Sequence, residues 1–419
     1  MSLKINIDYK VSSTSIDKIE TFKKITSQSQ TQFFHTFERT ELITQTKNVF
    51  SQFSDRKLFV HVGIGGSSLG PEMLVSALSK SDTQFLFINN IDPEELHDQL
   101  KIIERIGIKN SLFYFVSKSG GTAETQAALA IITEFLKSKN ISKDELKKYF
   151  VFATDPQKSE LLNLGRELEI SCLEVPGNVG GRFCALTPVG YLPALFAGID
   201  IDQLVKGALD LQPVLLEKTI HNPLIKTAEF LINLKNNQGI TQTVLMPYSS
   251  KLRNFSFWFT QLWAESLGKK KNLQGEVVHA GLTPIVGYGA TDQHSQMQLF
   301  MEGPKDKCLI FVEVEKFSTD FSLKSSLSST NLDKLSGHKL SDLLKAELNG
   351  TMKALKETSR PFMHITIERN DEYHMGQLIL FFESLTAFVG QEYLKIDPFD
   401  QPGVEAGKIY AFEILNQLK

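Results

Sequence analysis

Two short segments of this chain are built from residue types that hold an oxyanion. Val62-Gly-Ile-Gly-Gly-Ser-Ser-Leu-Gly-Pro71 places Gly66 and Ser67 just after one apolar run, and Phe115-Val-Ser-Lys-Ser-Gly-Gly-Thr-Ala-Glu-Thr125 follows a second. In the second segment Ser117, Ser119 and Thr122 offer three hydroxyl donors, Gly120 and Gly121 let backbone N–H groups come close to a ligand, and Lys118 adds charge. Three hydroxyls on one strand-to-helix turn suit a phosphate. Taken alone, the first segment is open to other chemistry. Gly63 and Gly65 partly match a dinucleotide fingerprint, but Ser68 stands where its third glycine belongs, and the next apolar run ends in Asn89-Asn90 rather than a single acid. Gly66-Ser67-Ser68-Leu69-Gly70 also fits the nucleophile elbow of a serine hydrolase, with Ser68 attacking. Neither of these sites needs the second turn, so the pair reads as a cradle for a monophosphate. The plainer alternative for the second turn is a capped helix in which Ser119 or Thr122 only satisfies N–H groups.

A third segment offers acid–base chemistry. Apolar residues at 255, 258, 259, 262, 263 and 267 form one helical stripe, and Gln261 and Glu265 lie a turn apart beside it. A carboxylate at such an edge can take a proton from carbon next to a carbonyl, and one base can serve two neighbouring carbons. The ordinary alternative is a surface pair between Glu265 and Lys269 at helical spacing. Arg182 follows Gly180-Gly181, and its permanent charge can stabilise an enediolate without exchanging a proton; a structural ion pair is the other reading.

These groups need elements to hold them. From Leu58 onward, apolar runs near 58–64, 84–88, 111–116 and 149–154 alternate with helix-like stretches near 70–80, 93–106, 122–138 and 157–168. That rhythm predicts an α/β fold with a parallel sheet covered on both faces. A second series has apolar runs near 242–247, 308–313 and 363–367, and helix-like stretches near 223–237, 252–267, 339–357 and 374–392. The expected organisation is an N-terminal arm (1–49) packed on the second unit, a first α/β unit (50–205) carrying the phosphate turns, and a second (206–419) ending in a helix. Pro71 suits the opening of the first helix, and 316–338, rich in Ser, Asp and Lys, reads as an exposed loop or insertion.

Composition narrows the functional classes. With 42% hydrophobic and 22% charged residues, the 419-residue chain is globular, and a net charge of -3 with mixed signs offers no broad surface for nucleic acid or an anionic membrane. No segment approaches the ~18 uncharged residues of a membrane span. Cys172, Cys184 and Cys308 are far apart and read as buried thiols in a reducing compartment, so a cytoplasmic location is expected. Glu276, His279, His294 and Glu302 have no recognised metal spacing, and no metal or other cofactor is expected.

The Ser-x-Ser-Gly-x-Thr turn resembles the sugar isomerase domain, and later landmarks resemble the glucose-6-phosphate isomerase family specifically. These are Gly180-Gly-Arg-Phe183, Gln261-Leu-Trp-Ala-Glu-Ser-Leu-Gly-Lys269, Gln293-His294 and Phe399-Asp-Gln-Pro-Gly-Val-Glu-Ala-Gly-Lys408, in the family's order within a match from about Val62 to Lys408. The resemblance implies two sugar isomerase-type α/β domains, a homodimer, and metal-free interconversion of glucose 6-phosphate and fructose 6-phosphate. It puts Glu265 on the family's base, Gln261 on a substrate contact and Gln401 on a residue that helps hold the phosphate. It puts Lys408 near the sugar ring oxygen, and His294 on the ring-opening acid/base that reaches the neighbouring subunit's site. Cys184 stands where the family carries a hydroxyl. Two rival readings share these motifs: an isomerase that also accepts mannose 6-phosphate, and an inactive sugar-phosphate-sensing regulator, although a pure binding module would not need Glu265, Arg182, His294 and Lys408 together.

Overall fold

Short unbroken apolar runs become strands where both faces of a sheet are covered. In the computed structural model, which describes residues 3–418 apart from 8, 12–14 and 29–31, two five-stranded sheets form this way. Strand β1 (Lys4–Asn6) lies at the edge of the second sheet. The first sheet holds β2 (Leu58–Val62), β3 (Gln84–Ile88), β4 (Ser111–Val116), β5 (Phe150–Thr154) and β6 (Ser171–Glu174), all parallel, in the order β3-β2-β4-β5-β6. The second holds β7 (Gln242–Pro247), β10 (Thr283–Val286), β11 (Lys307–Lys316) and β12 (Phe362–Arg369) in the order β1-β12-β11-β7-β10, with only β1 antiparallel. Between β7 and β10 the chain makes a two-stranded ribbon of β8 (Lys269–Lys271) and β9 (Val277–Ala280).

Strand order decides where a site can sit. The chain leaves β2 for β3 on one side and returns to β4 on the other, which opens a crevice beyond the carboxyl ends of β2 and β4. Both glycine-rich turns leave from those two ends. The helices that bear on the site are α1 (Gly66–Leu78), α2 (Ala123–Ser138), α3 (Arg253–Leu267), α4 (Glu372–Phe388) and α5 (Glu405–Gln417). Apart from Tyr373 all of α4 is buried, and this apolar rod ties the two halves together. At its start Glu372 accepts from Lys80 and from the Asp200 N–H, while Asn370 Nδ2 donates to Ala77 O at 3.0 Å.

Several details differ from the sequence reading. Strands β1, β6 and β8 to β10 are short or partly polar, too brief for a period to register. Residues 1–49, weakly periodic in sequence, contain helix Ile19–Thr26 and most of helix Thr40–Phe53, which runs past the expected boundary; β1 joins the second sheet while Thr40–Phe53 packs on helix Pro188–Phe196, and residues 1, 2, 8, 12–14 and 29–31 of this arm lie outside the described residues. Helix α1 opens at Gly66, so Pro71 lies inside it rather than at its start. Cys172 is only half-buried. Among the described residues no helix is long and apolar enough to cross a membrane.

Candidate active site

A helix that buries an aromatic stripe must turn its other edge outward. On α3, Phe255, Trp258, Phe259, Leu262, Trp263 and Leu267 are buried, and Phe259 meets Phe382 of α4 edge-on with centroids 5.3 Å apart. That contact fixes the rotation of α3, leaving Gln261 and Glu265 half-buried on the opposite edge. Gln261 Nε2 donates to Glu265 Oε2 at 3.2 Å, and Gln261 Oε1 is buried with no partner among the described residues. The surface pair of Glu265 with Lys269 does not form: Lys269 is buried and its ammonium turns back to the carbonyls of Glu265 (2.6 Å) and Ser266 (3.0 Å).

Arg182 is buried behind Glu265. Its Nε donates to Ser266 Oγ at 2.7 Å, Nη1 to Gln401 Oε1 at 2.5 Å, and Nη2 to the carbonyls of Pro398 and Asp400. Nη1 also lies 3.5 Å from Glu265 Oε2. Burial pulls its pKa down while Glu265, Asp400 and Asp397 hold it up; a guanidinium keeps its charge through such shifts. Four bonds make the group rigid, and the remaining Nη1 hydrogen faces the carboxylate.

The first turn reaches this cluster through bare backbone. Gly65 has a φ of 58°, and its missing side chain leaves room for Gln261, whose Nε2 is 3.0 Å from where a Cβ would be. A Cβ on Gly66 would lie 2.3 Å from the carbonyl carbon of Gly181, so only glycine lets α1 begin against the Gly181–Arg182 peptide. Cys184 reinforces the same contact, its thiol lying 2.7 Å from Gly181 O and 3.3 Å from Gly66 O; burial pushes that thiol up to about 12, so it is a neutral donor here. Because Pro71 has no N–H, Ser67 O loses its helical partner, and His61 Nε2 takes that carbonyl at 2.6 Å. Burial pulls His61 down to about 4. Ser68 is buried and bonded to Glu72, which also accepts from Asn89 Nδ2 at 2.6 Å. With its hydroxyl turned to a carboxylate on its own helix rather than to a histidine, Ser68 is not set up as a nucleophile, and the hydrolase reading ends there.

In the second turn Ser117 Oγ and Thr122 Oγ1 share a hydrogen bond of 2.9 Å, Ser117 Oγ accepts the Gly120 N–H at 3.1 Å, and Ser119 Oγ accepts that of Gly121 at 3.2 Å. Gly120 has a φ of 73°, which tucks the turn under Ser159. Thr122 sits at the N-cap of α2 yet makes no capping bond, so the first N–H groups of that helix lack a side-chain acceptor. Lys118 points elsewhere: its ammonium bonds Val179 O at 3.0 Å, and burial lowers its pKa. It holds the 176–181 segment, and hence Arg182, to the second turn.

A cleft of about 690 Å³ opens on Gln261, Glu265, Lys269 and Gln401, with Leu69, Phe257, Ala264 and Val404 as apolar walls. Of the predicted site residues, Arg182, His294, Lys408 and those of the two turns, Gly66, Ser67, Ser117, Lys118, Ser119 and Thr122, do not line it. His294 is exposed in the turn Thr291–His294, and Lys408 lies on α5 bonded to Glu405 at 3.0 Å. Sequence reasoning missed Ser266, Pro398, Asp400 and the buried role of Lys269. Of these only Lys269 carried a signal, as a cation just beyond a helix C-terminus. Among the described residues no three His, Cys, Asp or Glu side chains converge as a metal set would.

Comparison with known proteins bears on the same arrangement. The family model described as phosphoglucose isomerase matches residues 32–419. The glucose-6-phosphate isomerase of Carboxydothermus hydrogenoformans is 40% identical over 374 residues, covering 86% of this chain and 79% of that one. Among solved structures, a Thermus thermophilus protein described as hypothetical superposes with a TM-score of 0.89 at 32% identity, over 96% of this chain and 94% of that one. A glucose-6-phosphate isomerase of Chlamydia trachomatis shares the fold, with a TM-score of 0.82 at 20% identity over 100% of this chain and 89% of that one.

Proposed function

We propose a mechanism for a chain that belongs to the phosphoglucose isomerase family, with Glu265 as its base. The reaction is the reversible isomerisation of glucose 6-phosphate and fructose 6-phosphate by proton transfer through an enediolate. The substrate phosphate is held by the hydroxyls of Ser117, Ser119 and Thr122 and the uncapped N–H groups at the start of α2, with Gly66 and Ser67 of the first turn beside it. Lys118 acts on the phosphate only through the turn it anchors. Gln401, bonded to Arg182, steadies the phosphate from the other wall.

Glu265 takes the proton from C2 of the open-chain aldose and returns it to C1, giving the ketose. Gln261 Nε2 holds the carboxylate, and its unpartnered Oε1 is free to accept a sugar hydroxyl. Arg182 faces Glu265 at 3.5 Å and balances the negative charge that passes to the enediolate oxygens. The observation that carries this reading is that Glu265, Gln261 and Gln401 line one cleft, with the buried Arg182 reaching both Glu265 and Gln401 from behind it. In a coupled assay with fructose 6-phosphate, Glu265→Gln should lower kcat by on the order of 10³-fold. It should also stop solvent deuterium entering C2, and normal exchange would remove Glu265 from the mechanism.

Ring opening falls to His294 and Lys408, with His294 supplied by a second copy of the chain. Supporting supply in trans, His294 is exposed and does not line the cleft of its own chain, while Lys408 is assigned by resemblance alone. Helix α5 also exposes Ile409, Tyr410, Phe412, Ile414 and Leu415, each at least 52% accessible, an apolar surface that a homodimer would cover. The separate sheets support two sugar isomerase-type units at 50–205 and 206–419 with an arm at 1–49. The three free thiols favour a cytoplasmic, reducing setting.

A further inference from the structure

A buried lysine demands an explanation, because its ammonium is rarely desolvated without fixed partners. Lys269 is such a residue, with a side chain 5% accessible, and it lies one turn beyond Glu265 at the end of α3. Its ammonium bonds the carbonyls of Glu265 and Ser266, which α3 leaves without helical partners, and stands 3.7 Å from an Asp400 carboxylate oxygen. On the other side of the same loop Arg182 holds the carbonyls of Pro398 and Asp400 and the Gln401 side chain. Thus two cations clamp the loop 397–401 to the last turn of α3, and that turn carries the carboxylate at the cleft.

Resting on the reading of Glu265 as the base, we propose that Lys269 is a positioning residue for proton transfer: it locks the final turn of α3 to the 397–401 loop and so sets the distance between Glu265, Arg182 and Gln401. Although Lys269 lines the cleft, its ammonium is committed to protein groups. The ammonium directs its hydrogens at two carbonyls and faces one carboxylate, all of them protein groups. Burial and the neighbouring Arg182 both lower its pKa while Asp400, Asp397 and Glu265 oppose them, so the clamp is a mixed-charge cluster rather than a lone cation. Loss of the clamp lets α3 fray by a turn at the place where the base must be held to a fraction of an ångström.

The test is Lys269→Met in the full chain, which keeps the unbranched stem of the side chain and removes the ammonium. With fructose 6-phosphate as substrate, kcat should fall by roughly 10- to 100-fold. Binding of sorbitol 6-phosphate, which carries the phosphate but cannot isomerise, should change less than about twofold because the phosphate turns are untouched. Lys269→Arg, which restores a donor to the same carbonyls, should recover part of kcat. An unchanged kcat in folded Lys269→Met overturns the proposal, and so does a loss shared equally between kcat and sorbitol 6-phosphate binding, the mark of a merely structural role. Should Lys269→Met fail to fold, Asp400→Asn cuts the same clamp from the loop side, and a parental kcat there overturns it equally. Glu265→Gln run beside them separates the two ideas: normal deuterium exchange in that variant sinks the base assignment, whereas its loss together with normal Lys269→Met turnover sinks only the clamp.

Discussion

At the scale of the residue, the site works by keeping its charges from neutralising each other. Glu265 is near Arg182 but not locked to it, because the guanidinium has already committed four donors to Ser266, Gln401, Pro398 and Asp400. The same restraint governs the second turn, where Thr122 leaves the helix uncapped and shares its hydroxyl with Ser117. In the proposed mechanism the substrate phosphate is the acceptor for that end of α2. Thr122→Ala should therefore raise KM for the phosphorylated sugar about 10-fold or more, the value of a hydrogen bond to a charged group, with kcat nearly constant. Steady-state kinetics would contradict this role if kcat fell and KM held.

At the scale of the element, the first turn is shaped by what Pro71 cannot do. The carbonyl of Ser67 is released from α1 and captured by His61 on β2, so a strand side chain pins the start of the helix. His61 is buried as the neutral ring, its pKa pushed down to about 4 from an ordinary 6.5. The unfolded chain binds that proton at a higher pH than the folded one does, so this stability is present above pH 6.5 and is lost as the pH falls toward 4. The loss amounts to about 3 kcal/mol, from the size of the shift. Denaturant titrations at pH 7, 5.5 and 4.5 should show His61→Gln losing less stability over this window than the parent, since the amide can still donate to Ser67 O. Parallel curves for the two proteins would exclude His61 as the source.

At the scale of the whole molecule, the cleft between the sheets is walled on one side by apolar residues, and α5 leaves the body with its apolar face uncovered. The proposed homodimer would cover both features with a second copy. If His294 acts in the partner's site, mixing Glu265→Gln with His294→Ala should regain activity, because each mixed dimer has one site with an intact base and an intact histidine. Random exchange gives roughly a quarter of parental activity for a twofold-symmetric dimer. A mixture as inactive as its components, with subunit exchange verified by native mass spectrometry, would place both residues in one chain's site.

Much of this was legible in the linear chain. The alternation of apolar runs and amphipathic stretches from Leu58 to Thr154 dictated parallel α/β crossovers, because fully covered strands and one-sided helices have distinct periods. The hydroxyls of Ser117, Ser119 and Thr122, on which the proposed phosphate site rests, are likewise read from residue type. The stripe around Phe259 put Gln261 and Glu265 on one edge. Only the tertiary structure decided that Ser68 faces Glu72 instead of acting as a nucleophile, that Lys118 anchors Val179 and that Lys269 caps α3 rather than pairing with the Glu265 carboxylate. It alone brought Arg182 within 3.5 Å of Glu265, a residue far along the chain. The reason is physical: periodicity and residue type are local, whereas the partner of a buried polar group is set by which distant backbone carbonyl the packing leaves unsatisfied beside it.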